Sequence, residues 1–444
     1  MSGKTEKVIP KTLPGFMELL PSEQILFNQL TDAIRNSYER FGFLPLDTPV
    51  IESADVLLAK TGGETEKQIY SFSKGDTNLA LRFDLTVPLA KYIALNQNNL
   101  AFPFRRYQIG KVYRGERPQQ GRFREFYQCD IDIIGDGELN IMYDAEIPSV
   151  IYTTFKEMGF DDFTIRINNR KILNGLFASL NAGDKAPEVL RIIDKKDKIG
   201  DEAVVTELKT LGLTADSVDT IMNFISISGT SDEKLNLLKS MGIGSELFKT
   251  GVSELEQVIG GIKMFGVPDA NFAIDLTIAR GLDYYTGTVY ETFLNQYRSI
   301  GSVCSGGRYD NLSEFYTDKK LPGVGISIGL TRLFYQLNKM NLLTPAKQSV
   351  SDVLVIPMTN DLAVCLSTAT ELRNQGVNAE VYLTDKKAKA KFGYADKLKI
   401  PFAVIIGDDE IKSGKFSLKN LTTGKQQLLT LDEIAAEVKP PQNA

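Results

Sequence analysis

Apolar residues recur at spacings of three and four through residues 22–41, at Leu26, Leu30, Ala33, Ile34, Tyr38 and Phe41. That is the period of one face of an amphipathic helix. Ser22, directly after Pro21, suits its N-cap, and Gly42 marks its end. The period then changes. FLPLDTPVIE (43–52) carries prolines that fit an edge strand better than a central one. LALRFDLTVPLAKYIAL (79–95) reads as a strand running into a helix that begins near Pro88. On both sides of the turn text RPQQGR (117–122) the chain alternates with period two. Lys111-Val-Tyr-Arg114 leads in, and Phe-Arg-Glu-Phe-Tyr-Gln-Cys-Asp-Ile-Asp-Ile-Ile (123–134) leads back, which predicts a long β-hairpin with a polar tip.

From about 171 to 265 the text becomes rich in Lys, Asp and Leu at helical spacing, with no reactive constellation, and reads as an inserted helical module. Strand-like text returns in NFAIDLTIARGLDYYTGTVYETFL (271–294), a glycine-rich turn is expected at CSGGRYDNL (304–312), and VGISIGLTRLFYQL (324–337) reads as a strand giving way to a helix. After KQSVS (347–351) a separate unit alternates strand, helix, strand, helix, strand: DVLVIPM, LAVCLSTATELRNQG closed by Gly376, NAEVYL, KKAKAKFGYADKLKI and PFAVIIG. Such alternation implies a small parallel or mixed sheet. The expected organisation is a core split into 1–170 and 266–345, a helical insertion at 171–265, and a C-terminal α/β domain at 351–444.

A length of 444 residues agrees with two or three domains. With 43% hydrophobic and 24% charged residues the composition is that of a globular protein, and no apolar run approaches the roughly 20 residues that span a bilayer. MSGKTEKVIPKTLPGF offers neither an apolar signal core nor an Arg-rich amphipathic pattern, so a cytoplasmic location and no membrane association are expected. Three widely spaced cysteines, Cys129, Cys304 and Cys365, fit a reducing compartment. The chain contains no histidine and no tryptophan. Ser-His-Asp and Cys-His catalysis are thereby excluded, and a structural zinc site nearly so. A general base has to be a carboxylate, Lys, Tyr, water or the substrate.

Against a net charge of −5, Arg114, Arg117, Arg122 and Arg124 fall within eleven residues. Guanidinium forks favour phosphates and carboxylates. Nucleic acid, a nucleotide or surface salt bridges would each account for them. Phe123 sits between two of the cations, Glu116 lies two residues after Arg114, and alternation places Gln128, Asp130 and Asp132 on one face of the returning strand. One face of one hairpin thus offers cations, an aromatic plane and carboxylates, which suits a small substrate bearing both phosphate and amine groups.

These residues resemble a family. Arg114-x-Glu116, a loop, then Arg122-x-x-x-Phe126-x-x-x-Asp130 is similar to motif 2 of the class II aminoacyl-tRNA synthetases. GFLPLDTPVI (42–51) resembles motif 1, the dimer-interface element, and GISIGLTR (325–332) resembles motif 3. ARGLDYYTGTVYE (279–291) and SGGRYDNL (305–312) look like the two histidine-specific motifs of the histidyl-tRNA synthetases. LRFDLTVPLAKY (81–92) and GRFREFYQCDIDIIG (121–135) resemble the eukaryote-like form of that family, and YADKLKIPFAVIIGDDE (394–410) its anticodon-binding domain.

The resemblance implies an α/β fold with an α+β catalytic core: an antiparallel sheet flanked by helices, interrupted by the helical insertion and followed by the anticodon-binding domain. It implies activation of L-histidine with ATP, the nucleotide carrying Mg²⁺, and transfer to tRNA(His) by a homodimer, with no zinc and no metal ligand among the side chains. Arg114 would meet the α-phosphate, Arg332 the γ-phosphate side, and Arg122 a further phosphate. Phe123 would stack on adenine and Glu116 accept its amino group. Asp84, Thr86 and Gln128 would hold the α-amine, with Leu85 lining that pocket. Asp132 and Tyr285 would read the imidazole, flanked by Tyr284. Arg280 would lie on the carboxylate and α-phosphate, and with Arg114 is the catalytic candidate. Lys386, Lys387, Lys389, Lys391, Lys397 and Lys399 would offer either a solvated face or contacts to the anticodon stem. Two rivals stay open in the sequence. One is an inactive paralogue such as the regulatory subunit of ATP phosphoribosyltransferase, which normally lacks the C-terminal domain and loses key arginines. The other is an RNA-binding or signalling protein on the same scaffold.

Overall fold

The hairpin organises the larger part of the chain. In the computed structural model, which describes residues 7–59, 66–117, 121–193, 195–278, 284–343, 345 and 347–439, strands Phe104–Tyr113 and Glu125–Ile134 pair antiparallel over ten residues each. The alternation was legible from Lys111 onward, and the first strand begins seven residues earlier. These two strands lie within an eight-stranded sheet. Its order is Leu44–Pro45, Phe104–Tyr113, Glu125–Ile134, Gly323–Ile328, Cys304–Tyr309, Thr288–Leu294, Phe163–Asn169, Phe272–Ile274. All interior pairings are antiparallel; only the two short edge strands run parallel to their neighbours. The proline-bounded segment is therefore at an edge, where a missing N–H costs no ladder bond.

Three sequence expectations need correction. CSGGRYDNL is not a turn: Cys304–Tyr309 is a central strand paired on both sides. Its glycines serve close approach rather than chain reversal. A Cβ on Gly306 would sit 2.1 Å from the Gly325 carbonyl oxygen, and one on Gly325 would sit 2.3 Å from the Ile131 carbonyl oxygen. The first helix starts at Pro21 rather than after a Ser22 cap, with the Leu20 N–H donating to Glu23 at 2.9 Å. Likewise the helix that follows strand Thr77–Leu81 runs Thr86–Asn96, starting two residues ahead of Pro88, because Asp84 Oδ1 accepts the Val87 N–H at 3.0 Å.

Helices tie to this sheet through buried polar bonds. Tyr38 donates to the Cys129 carbonyl at 3.0 Å, and Asp144, wholly buried on helix Met142–Glu157, takes Arg308 Nη2 at 2.7 Å and the Thr288 hydroxyl at 2.7 Å. A three-stranded sheet, Ile51–Ser53, Thr77–Leu81 and Ser71–Lys74, leads into helix Thr86–Asn96. Between Arg170 and Met264 every described regular element is helical.

The chain divides into two compact units, Met1–Glu18 with Leu30–Leu342, and Leu19–Gln29 with Leu343–Ala444. The second carries a five-stranded mixed sheet in the order Ala379–Val381, Val353–Pro357, Phe402–Ile406, Phe416–Asn420, Gln426–Leu429, parallel in its first two pairings and antiparallel in its last two. Helix Leu362–Asn374 closes at Gly376, whose φ of +82° favours glycine.

Candidate active site

Alternation along Glu125–Ile134 turns Cys129, Ile131 and Ile133, all fully buried, away from Gln128, Asp130 and Asp132. The latter three line a cavity of about 400 Å³ within the larger unit. Asp84, Thr86, Arg114, Glu116, Arg122, Phe123, Tyr284, Tyr285 and Arg332 line the same cavity. Of the residues singled out in the sequence, two stand apart. Leu85 is fully buried and does not line the cavity; its carbonyl accepts from Arg106 Nη2 at 3.1 Å. Arg280 lies outside the described residues, as does the hairpin tip at 118–120.

One end of the cavity is acidic. Asp132 Oδ1 accepts the Tyr309 hydroxyl at 2.6 Å, and Oδ2 lies 2.5 Å from Nη2 of the fully buried Arg106. Burial pushes the Asp132 carboxyl up, and Arg106 and the Tyr309 bond oppose it. Asp84 is raised to about 6, first by burial, against the Val87 amide, Arg114 and Arg106. Asp130 is raised to about 7, again by burial, with Asp132 and Asp84 adding to the rise and Arg106 opposing it. Gln128 donates to the Ser327 hydroxyl at 2.7 Å. Tyr284 and Tyr285 form an aromatic wall, their rings 4.9 Å apart and near perpendicular, and the Tyr284 hydroxyl bonds Thr86.

The other end is cationic. Arg114 is aimed by its Nε bond to the Phe83 carbonyl at 3.0 Å and by the Phe126 ring, 5.1 Å from its guanidinium carbon. Glu116 lies 3.6 Å from Arg122, and Phe123 meets Tyr335 edge-on at 5.3 Å. Arg332 donates to the Ile300 carbonyl. The other two arginines of the cluster have different situations. Arg124 donates to the Glu116 carbonyl at 3.0 Å with its stem against Gly15, and Arg117 is exposed.

Arg106, Tyr309 and Ser327 were missed. Arg106 stands directly opposite Asp132 in the hairpin register, so counting pairs across the predicted turn would have flagged it as a cross-strand ion pair. Tyr309 lies inside SGGRYDNL, where the expectation of a turn obscured its direction.

A mainly antiparallel sheet whose motif 2 hairpin and motif 3 strand–helix together floor one cavity, arginines at one end and acids at the other, is the layout of a class II aminoacyl-tRNA synthetase core. Comparison with known proteins narrows it. The family model for histidyl-tRNA synthetase matches residues 15–333, and that for the anticodon-binding domain matches 352–440. A histidine–tRNA ligase of Clostridium tetani is 59% identical over 437 residues, 98% of this chain and 99% of that protein. The crystal structure of histidyl-tRNA synthetase from Nostoc sp. PCC 7120 superposes with a TM-score of 0.89 at 44% identity, covering 97% of this chain and 99% of that one. An ATP phosphoribosyltransferase regulatory subunit/histidyl-tRNA synthetase from Bacillus halodurans shares the fold at a TM-score of 0.74 and 21% identity, over 88% of this chain and 97% of its own. The chain belongs to the histidyl-tRNA synthetase family.

Proposed function

We infer that this chain activates L-histidine with ATP to histidyl-adenylate and transfers the histidyl group to the 3′ end of tRNA(His). The observation that carries this reading is the polarity of the one cavity, which sets acceptors for an amine and an imidazole beside arginines for phosphates. The attacking carboxylate is already ionised, so adenylation needs no protein base and a chain without histidine can perform it. What it needs is fixed positive charge, because carboxylate and α-phosphate repel each other and charge develops on the phosphorus oxygens. Arg114 supplies it at the α-phosphate, Arg332 on the γ side and Arg122 on a further phosphate. Arg280 fits the carboxylate and α-phosphate, by motif position alone. Phe123 stacks on adenine and Glu116 accepts its amine, which requires Glu116 to exchange its contact with Arg122 for the base. Asp84, Thr86 and Gln128 hold the α-amine. Asp132 and Tyr285 read the imidazole, with Arg106 and Tyr309 fixing the Asp132 carboxylate and Tyr284 buttressing the wall. In transfer, the adenylate phosphate or the substrate takes the ribose proton. Mg²⁺ enters with the nucleotide.

The protein acts as a cytoplasmic homodimer through motif 1, whose Leu44 and Ile51 are 59% and 47% exposed, and through strand Ser71–Lys74, whose Phe72 is 42% exposed. No described helix is long and apolar enough to cross a membrane. The segment from 351 binds the anticodon stem. Along helix Ala388–Lys397 and its flanks, Lys386, Lys387, Lys389 and Lys397 are exposed and available, whereas Lys391 donates to the Pro357 carbonyl and Lys399 pairs with Asp396. The arginines in the cavity and the full C-terminal unit speak against the inactive paralogue. Charging of tRNA(His) with labelled histidine tests the reading: charging specific to that tRNA is expected, and a folded chain that charges none overturns it.

A further inference from the structure

Four acceptors in the cavity have no hydrogen-bond partner among the described residues, Asp84 Oδ2, Gln128 Oε1, Asp130 Oδ1 and Asp132 Oδ2, and of these only the last has an ion-pair partner, Arg106. Leaving such groups buried and unpaired is costly, about 1–3 kcal/mol each and more for charged ones, so their persistence points to a ligand that completes them. Asp84 and Asp130 are each 2% exposed. Their other oxygens are engaged, Asp84 Oδ1 by the Val87 amide, and the Asp130 carboxyl on one side by Ser327, which also takes Gln128. Ser327 stands opposite Asp130 in the strand register and so fixes both side chains. Three acceptor oxygens thus remain with neither a hydrogen bond nor an ion pair, and a primary ammonium has three N–H donors.

Resting on the functional reading above, we propose that Asp130 is a further substrate-binding residue, joining Asp84, Thr86 and Gln128 around the histidine α-ammonium, and that the arriving cation displaces a proton which the free site holds on Asp130.

Charge around the site supports the second half. Arg106 faces Asp130 from Phe104–Tyr113 with its Nη2 held by Asp132 and the Leu85 carbonyl, and burial outweighs its pull on the Asp130 carboxyl. The other titratable groups near Asp130 add no cation. Asp132 on its own strand and Asp84 across the cavity are acids that repel its charge. Cys129, Cys304 and the Tyr38 and Tyr285 phenols are kept protonated by burial. Protonating one carboxyl relieves the crowding in the free chain. An ammonium relieves it equally well and makes the proton unnecessary. Since the chain has no histidine, no imidazole of its own confuses the reading near neutral pH.

The test is calorimetric titration of the full chain in two buffers of different ionisation enthalpy at pH 7, which yields protons released per ligand bound. L-histidine and histidinol, which both carry the ammonium, are expected to release about half a proton each. 3-(Imidazol-4-yl)propionate, which lacks it, is expected to release little beyond the proton that its own imidazole carries in solution at pH 7. Asp130→Asn is expected to abolish most of the release and to weaken histidine binding roughly tenfold to a hundredfold. Equal release with the amine-free ligand, or undiminished release in Asp130→Asn, overturns the proposal. So does binding of histidine with no release at all. The ligand comparison needs no variant, so it stands if Asp130→Asn misfolds. A wild-type chain that binds no histidine overturns the functional reading itself, a result distinct from binding without proton release.

Discussion

Asp132 shows what one position contributes and what a sequence hides about it. Its type and face were legible, because alternation within the hairpin put it beside Gln128 and Asp130. Its settings were not, because Arg106 and Tyr309 reach it from other strands. A site built around such polar partners rejects ligands that leave them unpaired. Asp132→Asn is therefore expected to raise the KM for histidine at least tenfold while leaving that for ATP within about twofold, by steady-state exchange kinetics. An unchanged histidine KM would remove Asp132 as the reader. The raised carboxyls also carry a stability signature. Asp84 and Asp130, at about 6 and about 7, keep protons in the folded chain that an unfolded chain gives up near pH 4. The folded state binds more protons through that interval, so stability falls as pH rises and the loss is complete above about 7. The melting temperature of the unliganded chain is expected to drop between pH 5 and pH 8, and the Asp84→Asn, Asp130→Asn double variant is expected to flatten that drop. A wild-type profile that rises across this window would contradict the assignment.

At the scale of elements, patterning served well where local period and tertiary role agree. The hairpin, the strand–helix of motif 3 and the alternating C-terminal unit all announce themselves by period or by a glycine stop. It failed where a residue type has two uses. Glycine reads locally as a turn, yet in Cys304–Tyr309 it lets neighbouring backbones approach. That demand is set by strands distant in sequence, so no local window contains it. Two alanine substitutions separate the uses. Gly325→Ala drives a methyl into the Ile131 carbonyl and the Asp132 carboxylate, and is expected to destabilise by roughly 1–3 kcal/mol or more. Gly260→Ala, in helix Glu246–Met264 with open space around it, is expected to stabilise by about 0.5–1 kcal/mol. Thermal unfolding of the pair checks this. A neutral Gly325→Ala would mean that the sheet spacing is not set as described.

For the whole molecule, the sequence conveyed the order of segments and the family. It could not convey which surfaces remain open in one chain. Leu44, Ile51 and Phe72 are exposed apolar residues of this kind, and the proposed homodimer would cover them. Sedimentation equilibrium is expected to return a dimer, and Ile51→Glu with Phe72→Glu a monomer of reduced activity. A wild-type monomer with full activity would remove this interface.

In the proposed reaction one cavity brings histidine and ATP together for adenylation. Histidine-dependent exchange of labelled pyrophosphate into ATP measures that step alone, without tRNA. The wild-type chain is expected to exchange with L-histidine and not with other amino acids. Arg114→Ala and Arg280→Ala are each expected to lose about 10²–10³ in rate with the melting temperature nearly unchanged, because a preorganised donor at developing charge is worth roughly that much. A folded wild-type chain without histidine-dependent exchange, or an Arg114→Ala chain that exchanges at the wild-type rate, would contradict the account.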